Sequence, residues 1–247
     1  MSPELQDLLF TSYGPVHRTM VALTAVGSVV MVWLGRRHRG TPMATTFSRG
    51  FGIVMAVVTV GFFLLWLWPS LFNLDQSLPL HFSDVLRFMA ALALLTHRRL
   101  PVAVTYYWGL TLNIQSLLTP DLTPMVLPAA EFVSYWLQHI MIMWAVCYLT
   151  WGLKLAPDWR SYRLTLVFTL GFAAVVFTIN SVLGTNYAYL NRKPASTSAL
   201  DLLGGWPLYL LVVLVLMIVV WGLMTWPWTR RSRTAAEAET LPASVRS

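Results

Sequence analysis

Long apolar runs alternate with short polar connections along almost the whole chain. A helix needs about 20 apolar residues to cross about 30 Å of hydrocarbon. Segments of that length and character recur along the sequence, and polar or basic residues separate them. The pattern therefore predicts seven membrane-spanning helices, at about residues 18–35, 50–68, 80–96, 101–119, 132–152, 164–183 and 207–227.

The predicted fold class is all-α, a polytopic seven-helix bundle, and the chain divides into three parts. Residues 1–17 are predicted to form an outer segment with a short interfacial helix. Residues 18–228 form the transmembrane domain. Residues 229–247 are polar and rich in Ala and Glu, which indicates a disordered cytoplasmic tail.

The basic residues predict how the bundle is oriented. Most of the 17 lysines and arginines fall in the connections that share one side with the tail. These connections are 36–49, 97–100 and 153–163, whereas the other side is richer in acids. Because short cytoplasmic loops carry an excess of Lys and Arg, we expect the N-terminus outside and the C-terminus in the cytoplasm.

Composition supports a membrane protein and excludes several other classes. The chain is 57% hydrophobic and 11% charged, against about 25% charged in soluble domains. The net charge of +7 is a topological signal, so we expect membrane lipids and no nucleic acid as partners. Cys147 is the only cysteine, and no metal or cofactor spacing occurs, so we predict no metal and no cofactor. The sequence does not predict the oligomeric state.

The third predicted span carries ionisable residues at His81, Asp84 and Arg87. Such groups cost at least about 2.5–3.5 kcal/mol at mid-membrane, so they usually face the bundle interior and mark function. Residues three apart share a helix face, so Asp84 can pair with Arg87 or orient the His81 imidazole. We predict an Asp84–Arg87 ion pair, and we predict His81, Asp84 and His139 as candidate catalytic residues.

Further polar residues fall in the outer halves of the later spans. Their predicted depths match, which favours a polar cavity open to the outside; these residues are Asn113, Gln115, Gln138 and Asn180. The alternative is that they only join helices by hydrogen bonds.

The long outer connection 184–206 contains Thr185, Asn186, Arg192 and Lys193. Paired cations there favour an anion such as a lipid phosphate. We therefore predict these four residues as an anion- or headgroup-binding set.

Three separated motifs resemble the bacterial integral membrane family of the YwaF type. They are LPLHFSDV (78–85), YYWGLTLNIQSLLTPDL (106–122) and NSVLGTNYAYLNRKPASTSALDLLGGWPLYLL (180–211). The resemblance implies a multi-pass protein of the bacterial plasma membrane without an established reaction. The family typically reads LPLHLCD, so Ser83 replaces a cysteine here.

A more distant resemblance is to the eukaryotic transmembrane protein 164, a lipid acyltransferase thought to use a cysteine directly before a histidine. His81 and His139 match the histidines of that pattern, but Leu80 precedes His81. If the protein is an enzyme, the resemblance implies a lipid- or acyl-directed transferase or hydrolase without a cysteine nucleophile.

The residues leave three functions open. The first is a membrane-embedded enzyme that acts on or binds a lipid. The second is a proton- or ligand-linked transporter or sensor, and the third is a partner protein without chemistry.

Overall fold

The computed structural model describes residues 11–120, 126–193 and 199–240, with no side-chain detail for 199–200 and 231–240. Most of the predicted outer segment, residues 1–10, lies outside the described residues, as do 241–247. The interfacial helix expected within 1–17 therefore falls mainly outside them.

Seven long helices account for most of the described chain, and no strand occurs within it. We label them in chain order: α1 Pro15–His38, α2 Pro42–Trp66, α3 Phe82–Thr96, α4 Arg99–Leu118, α5 Pro128–Cys147, α6 Trp159–Leu183 and α7 Leu208–Thr240. A π-helical turn, Tyr148–Gly152, continues α5, and 3₁₀ turns occur at Tyr187–Tyr189 and Ala199–Leu203. The all-helical prediction is confirmed.

Several helices begin earlier than the apolar runs indicated. Prolines occupy the first turns of α1, α2 and α5, at Pro15, Pro42 and Pro128. Proline suits that position because its missing N–H has no helical partner there and its φ is already helical. A hydropathy pattern finds only the apolar part of each helix, whereas the helices continue into polar sequence.

Five of the seven helices are long and apolar enough to cross a membrane, namely α1, α2, α5, α6 and α7. The remaining two, α3 and α4, belong to the predicted seven but do not meet both criteria. α3 has 15 residues, and at 1.5 Å per residue it is about 22 Å long. It is shorter than the roughly 30 Å of a hydrocarbon core.

Helix α7 extends into the segment that the sequence predicts as a disordered tail. α7 continues past the predicted end at 227 and through Pro227 as far as Thr240. Residues 231–240, RSRTAAEAET, are rich in Ala, Glu and Arg, which have high helix propensity. A helix already formed in the membrane extends into such a sequence without a new nucleation step.

The helices form a buried core surrounded by outer helices. In α5 with its π turn, 72% of the most apolar window is buried, against 11–22% in α1, α2, α6 and α7. Completely buried side chains of α3 and α4, such as Leu94, Val104, Tyr107 and Trp108, share one core cluster with Ile142 of α5. The outer helices therefore present apolar faces to their surroundings, and the central helices carry the core.

Two glycines of α1 allow its close approach to α5. A Cβ added to Gly27 would lie 2.2 Å from the Trp144 ring, and one added to Gly35 would lie 2.5 Å from Gly152 Cα. Real Cβ atoms are not found at such distances, so any side chain at these positions forces the helices apart. Small residues at helix contacts are the usual means of close packing in membranes.

One end of the bundle, which we call the basic end, brings the arginine-rich connections together. Arg39 Nε donates to the carbonyl of Gly152 over 2.9 Å, at the close of the π turn. Arg99 at the start of α4 pairs with Asp158, whose Oδ1 accepts from the Ser161 N–H and caps α6. Burial by itself would raise the pKa of the Asp158 carboxyl. The hydrogen bonds from Arg99 and Ser161 outweigh that effect and keep this pKa below its ordinary value.

Replacement of Gly27 by alanine should destabilise the bundle. An added methyl group collides with the Trp144 ring, and overpacking of this kind costs about 1–3 kcal/mol. Thermal unfolding of the purified protein in detergent measures the loss. Gly171→Ala in α6 is the matched control, because no atom lies within 4 Å of its added Cβ. Equal melting temperatures for the two variants would contradict the close α1–α5 contact.

Candidate functional site

The first turn of α3 holds the ionisable cluster. Arg87 Nη1 lies 3.1 Å from Asp84 Oδ1, which is the ion pair expected from their spacing. The other carboxylate oxygen, Oδ2, accepts from the backbone N–H of His81 over 3.1 Å and so caps the helix. Asp84 therefore has both oxygens engaged, and it does not hydrogen-bond the His81 imidazole. These contacts do not support the predicted alternative in which Asp84 orients the His81 ring.

The His81 ring is held by the turn that follows α6. The backbone N–H of Ala188 points at His81 Nδ1 over 3.3 Å. The ring centroid lies 5.1 Å from that of Tyr187 in an edge contact and 5.8 Å from that of Tyr189. Residues more than a hundred positions apart in sequence thus determine the orientation of this histidine.

His139 lies on α5 and is 3% exposed. Asn113 of α4 holds it with both ends of its amide. Asn113 Nδ2 donates to the His139 carbonyl over 3.0 Å, and Asn113 Oδ1 lies 2.7 Å from His139 Nδ1. This pair forms a polar bridge between α4 and α5 at the level of the site.

Tyr135 also contacts His139, and sequence reasoning missed it. Their ring centroids lie 4.4 Å apart, and the Tyr135 hydroxyl donates to the Ser116 carbonyl over 2.6 Å. The available signal was its spacing, because residues four apart share a helix face. An aromatic ring one turn before a buried histidine is a candidate to pack on it.

A single large cavity, which we call the polar cavity, joins these groups. Its volume is about 1730 Å³, and it opens at the end of the bundle opposite the basic end. The predicted residues that line it are His81, Asp84, Arg87, Asn113, Gln115, His139, Asn186, Arg192 and Lys193. The helices thus bring together nine of the residues that the sequence analysis singled out.

One side of the polar cavity is apolar. It is formed by neighbouring faces of α6 and α7, at Leu170, Ala173, Ala174, Phe177, Leu210, Leu211, Val213, Leu214 and Met217. Their spacing of three and four residues is that of one helix face. The two helices are joined nearer the basic end, where the Tyr162 hydroxyl donates to the Ile218 carbonyl over 3.0 Å.

Gln138 and Asn180, which were predicted to face a cavity, do not line it. Gln138 turns back along α5 and donates to Ser134 Oγ over 2.8 Å. Asn180 holds the following loop through its amide: Nδ2 donates to the Tyr187 carbonyl over 2.9 Å, and Oδ1 accepts from the Tyr187 N–H over 2.8 Å. The amide of Asn180 is therefore engaged by the loop that follows α6.

The predicted anion-binding set also separates. Thr185 is buried, and its hydroxyl donates to Asn180 Oδ1 over 2.9 Å, so it takes part in the loop and not in the cavity wall. The side-chain amide of Asn186 donates to the Arg192 carbonyl and accepts from the Arg192 N–H. Lys193 Nζ lies 3.6 Å from Asp201 Oδ1, and Arg192 is exposed at the cavity wall. Of these four residues, Arg192 is the cation best placed for an anionic group.

A second, smaller cavity of about 40 Å³ lies behind Arg87. Arg87 Nε and Thr59 Oγ1 are buried without a hydrogen-bond partner, and both residues line this space. A volume of this size holds one water molecule, which needs polar partners of this kind. Arg87 therefore has one side toward Asp84 and another toward this small cavity.

Cys147 does not line the polar cavity. No group of three or more His, Cys, Asp or Glu side chains lies close enough there to hold a metal ion. Cys147 packs with Trp136, Ile140 and Met143 in a separate apolar cluster, away from the polar cavity. The chain itself offers imidazole, hydroxyl, carboxylate and guanidinium groups at the polar cavity.

Comparison with known proteins identifies one family. The model of the TMEM164 family matches residues 12–225, which include every described residue of the polar cavity. The match confirms the more distant of the two resemblances, while the YwaF-type name is not confirmed. No curated protein and no solved structure gives a significant match.

Substitution of Asn113 by alanine should destabilise the fold. The change leaves His139 Nδ1 buried without its partner, and an unsatisfied buried polar group costs about 1–3 kcal/mol. Thermal unfolding in detergent measures the effect. Gln115→Ala is the control on the same helix, because Gln115 is exposed. If the two variants melt alike, Asn113 does not hold α4 to α5 as described.

Proposed function

The chain belongs to the TMEM164 family, and we propose that this membrane protein binds a lipid in the polar cavity and acts on its acyl group. Family membership and several apolar helices place it in a membrane. The lipid substrate and the reaction are our proposal.

The observation that carries the proposal is that one cavity is polar at one side and apolar at the other. A lipid has the matching division into headgroup and hydrocarbon chain. Pockets for small molecules usually measure about 300–1,000 Å³. The polar cavity is larger, at about 1730 Å³, and its apolar side belongs to two helices apolar enough to span a membrane.

The proposed lipid lies with its hydrocarbon chain against α6 and α7. Its headgroup then faces Arg192 at the mouth, where a guanidinium favours a phosphate or carboxylate. The ester region comes to the level of His81, Arg87 and His139. These groups suit acyl chemistry, in which a base activates a hydroxyl and positive or donor groups stabilise the developing oxyanion.

The proposed reaction does not use a cysteine nucleophile. Leu80 precedes His81 where the distant relative is thought to carry a cysteine, and Cys147 lies in an apolar cluster. An acceptor hydroxyl, either from a second lipid or from water, would take the place of the thiol. The protein is accordingly proposed as a transferase or hydrolase.

We propose that all seven helices cross the membrane, with the polar cavity on the outer side of a bacterial plasma membrane. The basic end collects most Lys and Arg residues, which supports a cytoplasmic location for it. α1 begins at the cavity end, which puts the N-terminus outside, and α7 leaves at the basic end. The short α3 begins within the polar cavity. In this proposal the cavity occupies the part of the membrane thickness that α3 does not span.

Transport or sensing is the second candidate, favoured by the charged pair within the helices. A transport route would have to continue from Arg87 toward the basic end. Leu86, Ala90 and Leu94 pack there with Tyr107 and Trp108 in the buried core. That packing favours a site closed on one side over a pathway.

A tryptophan at Ala174 should reduce lipid binding. Ala174 lines the apolar side of the polar cavity, so the indole ring would occupy the proposed position of the chain. We expect the fraction of protein that retains a phospholipid, measured by native mass spectrometry from lipid nanodiscs, to fall about tenfold, equivalent to about 1.4 kcal/mol.

The adjacent residue gives the matched control for this experiment. Val175 is 57% exposed and does not line the cavity, so Val175→Trp should retain lipid as the unmodified protein does. Equal retention by the Ala174 variant would contradict the lipid site and favour a partner protein without chemistry.

Cysteine labelling should report the proposed orientation. In a Cys147→Ala background, Thr119→Cys at the cavity end should react with a membrane-impermeant maleimide on intact cells. Arg160→Cys at the basic end should react only after lysis. Both positions are exposed on the folded protein, so a difference in labelling would report the side of the membrane and not burial. The reverse labelling pattern would place the cavity in the cytoplasm.

A further inference from the structure

We infer that the two cavity histidines are held in opposite neutral tautomers, with the proton on Nδ1 in His139 and on Nε2 in His81. Nε2 is then a hydrogen-bond acceptor in His139 and a donor in His81, and both residues line the polar cavity. The tautomers follow from the hydrogen bonds alone, whereas the catalytic roles rest on the proposed function.

The tautomer of His139 follows from the orientation of the Asn113 amide. The His139 carbonyl can only accept a hydrogen bond, so the Asn113 atom 3.0 Å from it must be the NH₂ group. The amide oxygen then faces His139 Nδ1 at 2.7 Å. Since an amide oxygen also only accepts, Nδ1 must carry a proton. In the neutral ring, Nε2 therefore keeps its lone pair.

The tautomer of His81 follows from the opposite kind of partner. The Ala188 backbone N–H can only donate, and it points at His81 Nδ1 over 3.3 Å. Nδ1 must therefore offer a lone pair, which a protonated imidazolium lacks. The ring is neutral, and its proton lies on Nε2.

The turn that presents the Ala188 N–H is in an unfavourable backbone conformation. Ala188 and Tyr189 have φ angles of 56° and 55°. Such left-handed conformations are unfavourable for residues other than glycine. The surrounding contacts hold the turn in place: the Tyr187 hydroxyl donates to the Leu74 carbonyl, and the Tyr209 hydroxyl donates to the Tyr189 carbonyl. Strain retained beside a candidate catalytic ring indicates a functional constraint.

These tautomers assign different tasks to the two rings in acyl transfer. The acceptor hydroxyl gives its proton to His139 Nε2 while its oxygen forms the new bond to the ester carbonyl carbon. His81 Nε2–H and Arg87 donate to the carbonyl oxygen as it becomes negative. When the intermediate collapses, the bond to the leaving oxygen breaks, and His139 returns the proton to that oxygen. His81 keeps its proton throughout, because a neutral imidazole is a donor and not an acid in this pH range.

Nitrogen NMR tests the tautomers without any substrate. The protein has five histidines, and ¹⁵N-labelled imidazole shifts distinguish a protonated from a lone-pair nitrogen at each ring position. Single His→Gln variants assign the signals, and one histidine whose variant fails to fold is assigned by elimination. We expect His139 as the Nδ1–H form and His81 as the Nε2–H form. The same tautomer in both rings, or the reverse pair, would overturn the inference.

Two variants of Asn113 separate the tautomer effect from loss of structure. Asn113→Asp keeps an acceptor for Nδ1–H and should keep the His139 tautomer. Asn113→Leu removes that acceptor, and the ring should move toward the Nε2–H form that free histidine prefers. If Asn113→Leu retains the Nδ1–H form in folded protein, Asn113 is not the positioning residue.

The rate of lipid turnover tests the catalytic roles of the two histidines separately from their tautomers. A glutamine side chain can donate a hydrogen bond but cannot act as a base. His139→Gln should therefore lose about 10²–10⁴-fold in rate, as much as His139→Ala. His81→Gln should be about tenfold or more faster than His81→Ala, within the 10²–10³ that one oxyanion donor supplies. The reverse pattern would overturn the roles even if NMR supports the tautomers. Retention of lipid without turnover would remove the enzyme proposal and leave the tautomers standing.

Discussion

A carboxylate and a guanidinium in the first turns of α3 are too costly to face hydrocarbon, and much of the structure at the cavity end follows from that constraint. Asp84 resolves it by pairing with Arg87 and by capping the helix at His81. Arg87 also borders a small cavity on its second side. The helices around this pair leave a large polar cavity in place of packed side chains, so that the charged groups remain close to water.

The two ends of the bundle differ because they meet different requirements. At the basic end, Gly35 and Gly152 bring α1 and α5 into contact, and Arg39 satisfies the carbonyl at the end of the π turn. At the cavity end, α6 and α7 stand apart around the apolar side of the cavity. A tightly packed base supports an open site, which is the arrangement expected of a binding pocket on a rigid scaffold.

Membership of the TMEM164 family gives the chain its class, and the residues of the cavity suggest how this member works. The cysteine associated with the distant acyltransferase is replaced here by Leu80. In the proposed reaction, two imidazoles, held by Asn113 and by the backbone of Ala188, take the roles of base and donor in its absence. Nδ1 of His81 faces a hydrogen-bond donor, whereas Nδ1 of His139 faces an acceptor. The two histidines are therefore not interchangeable, although the residue type is the same.

The sequence alone determined the all-helical membrane class, the approximate position of each helix and the Asp84–Arg87 spacing, because hydropathy and helix periodicity are local properties of the chain. Only the tertiary structure decided which polar residues share the cavity. Asn113 and His139 meet across two helices, whereas Asn180 and the NH₂ group of Gln138 bond to atoms nearby in sequence, and Gln138 Oε1 is buried without a hydrogen-bond partner. Hydrogen-bond partners are chosen by distance and direction in space, and neither quantity is encoded by residue type or by depth along a single helix. The tautomers of His81 and His139 depend on those same partners, and no pattern in the sequence reports them.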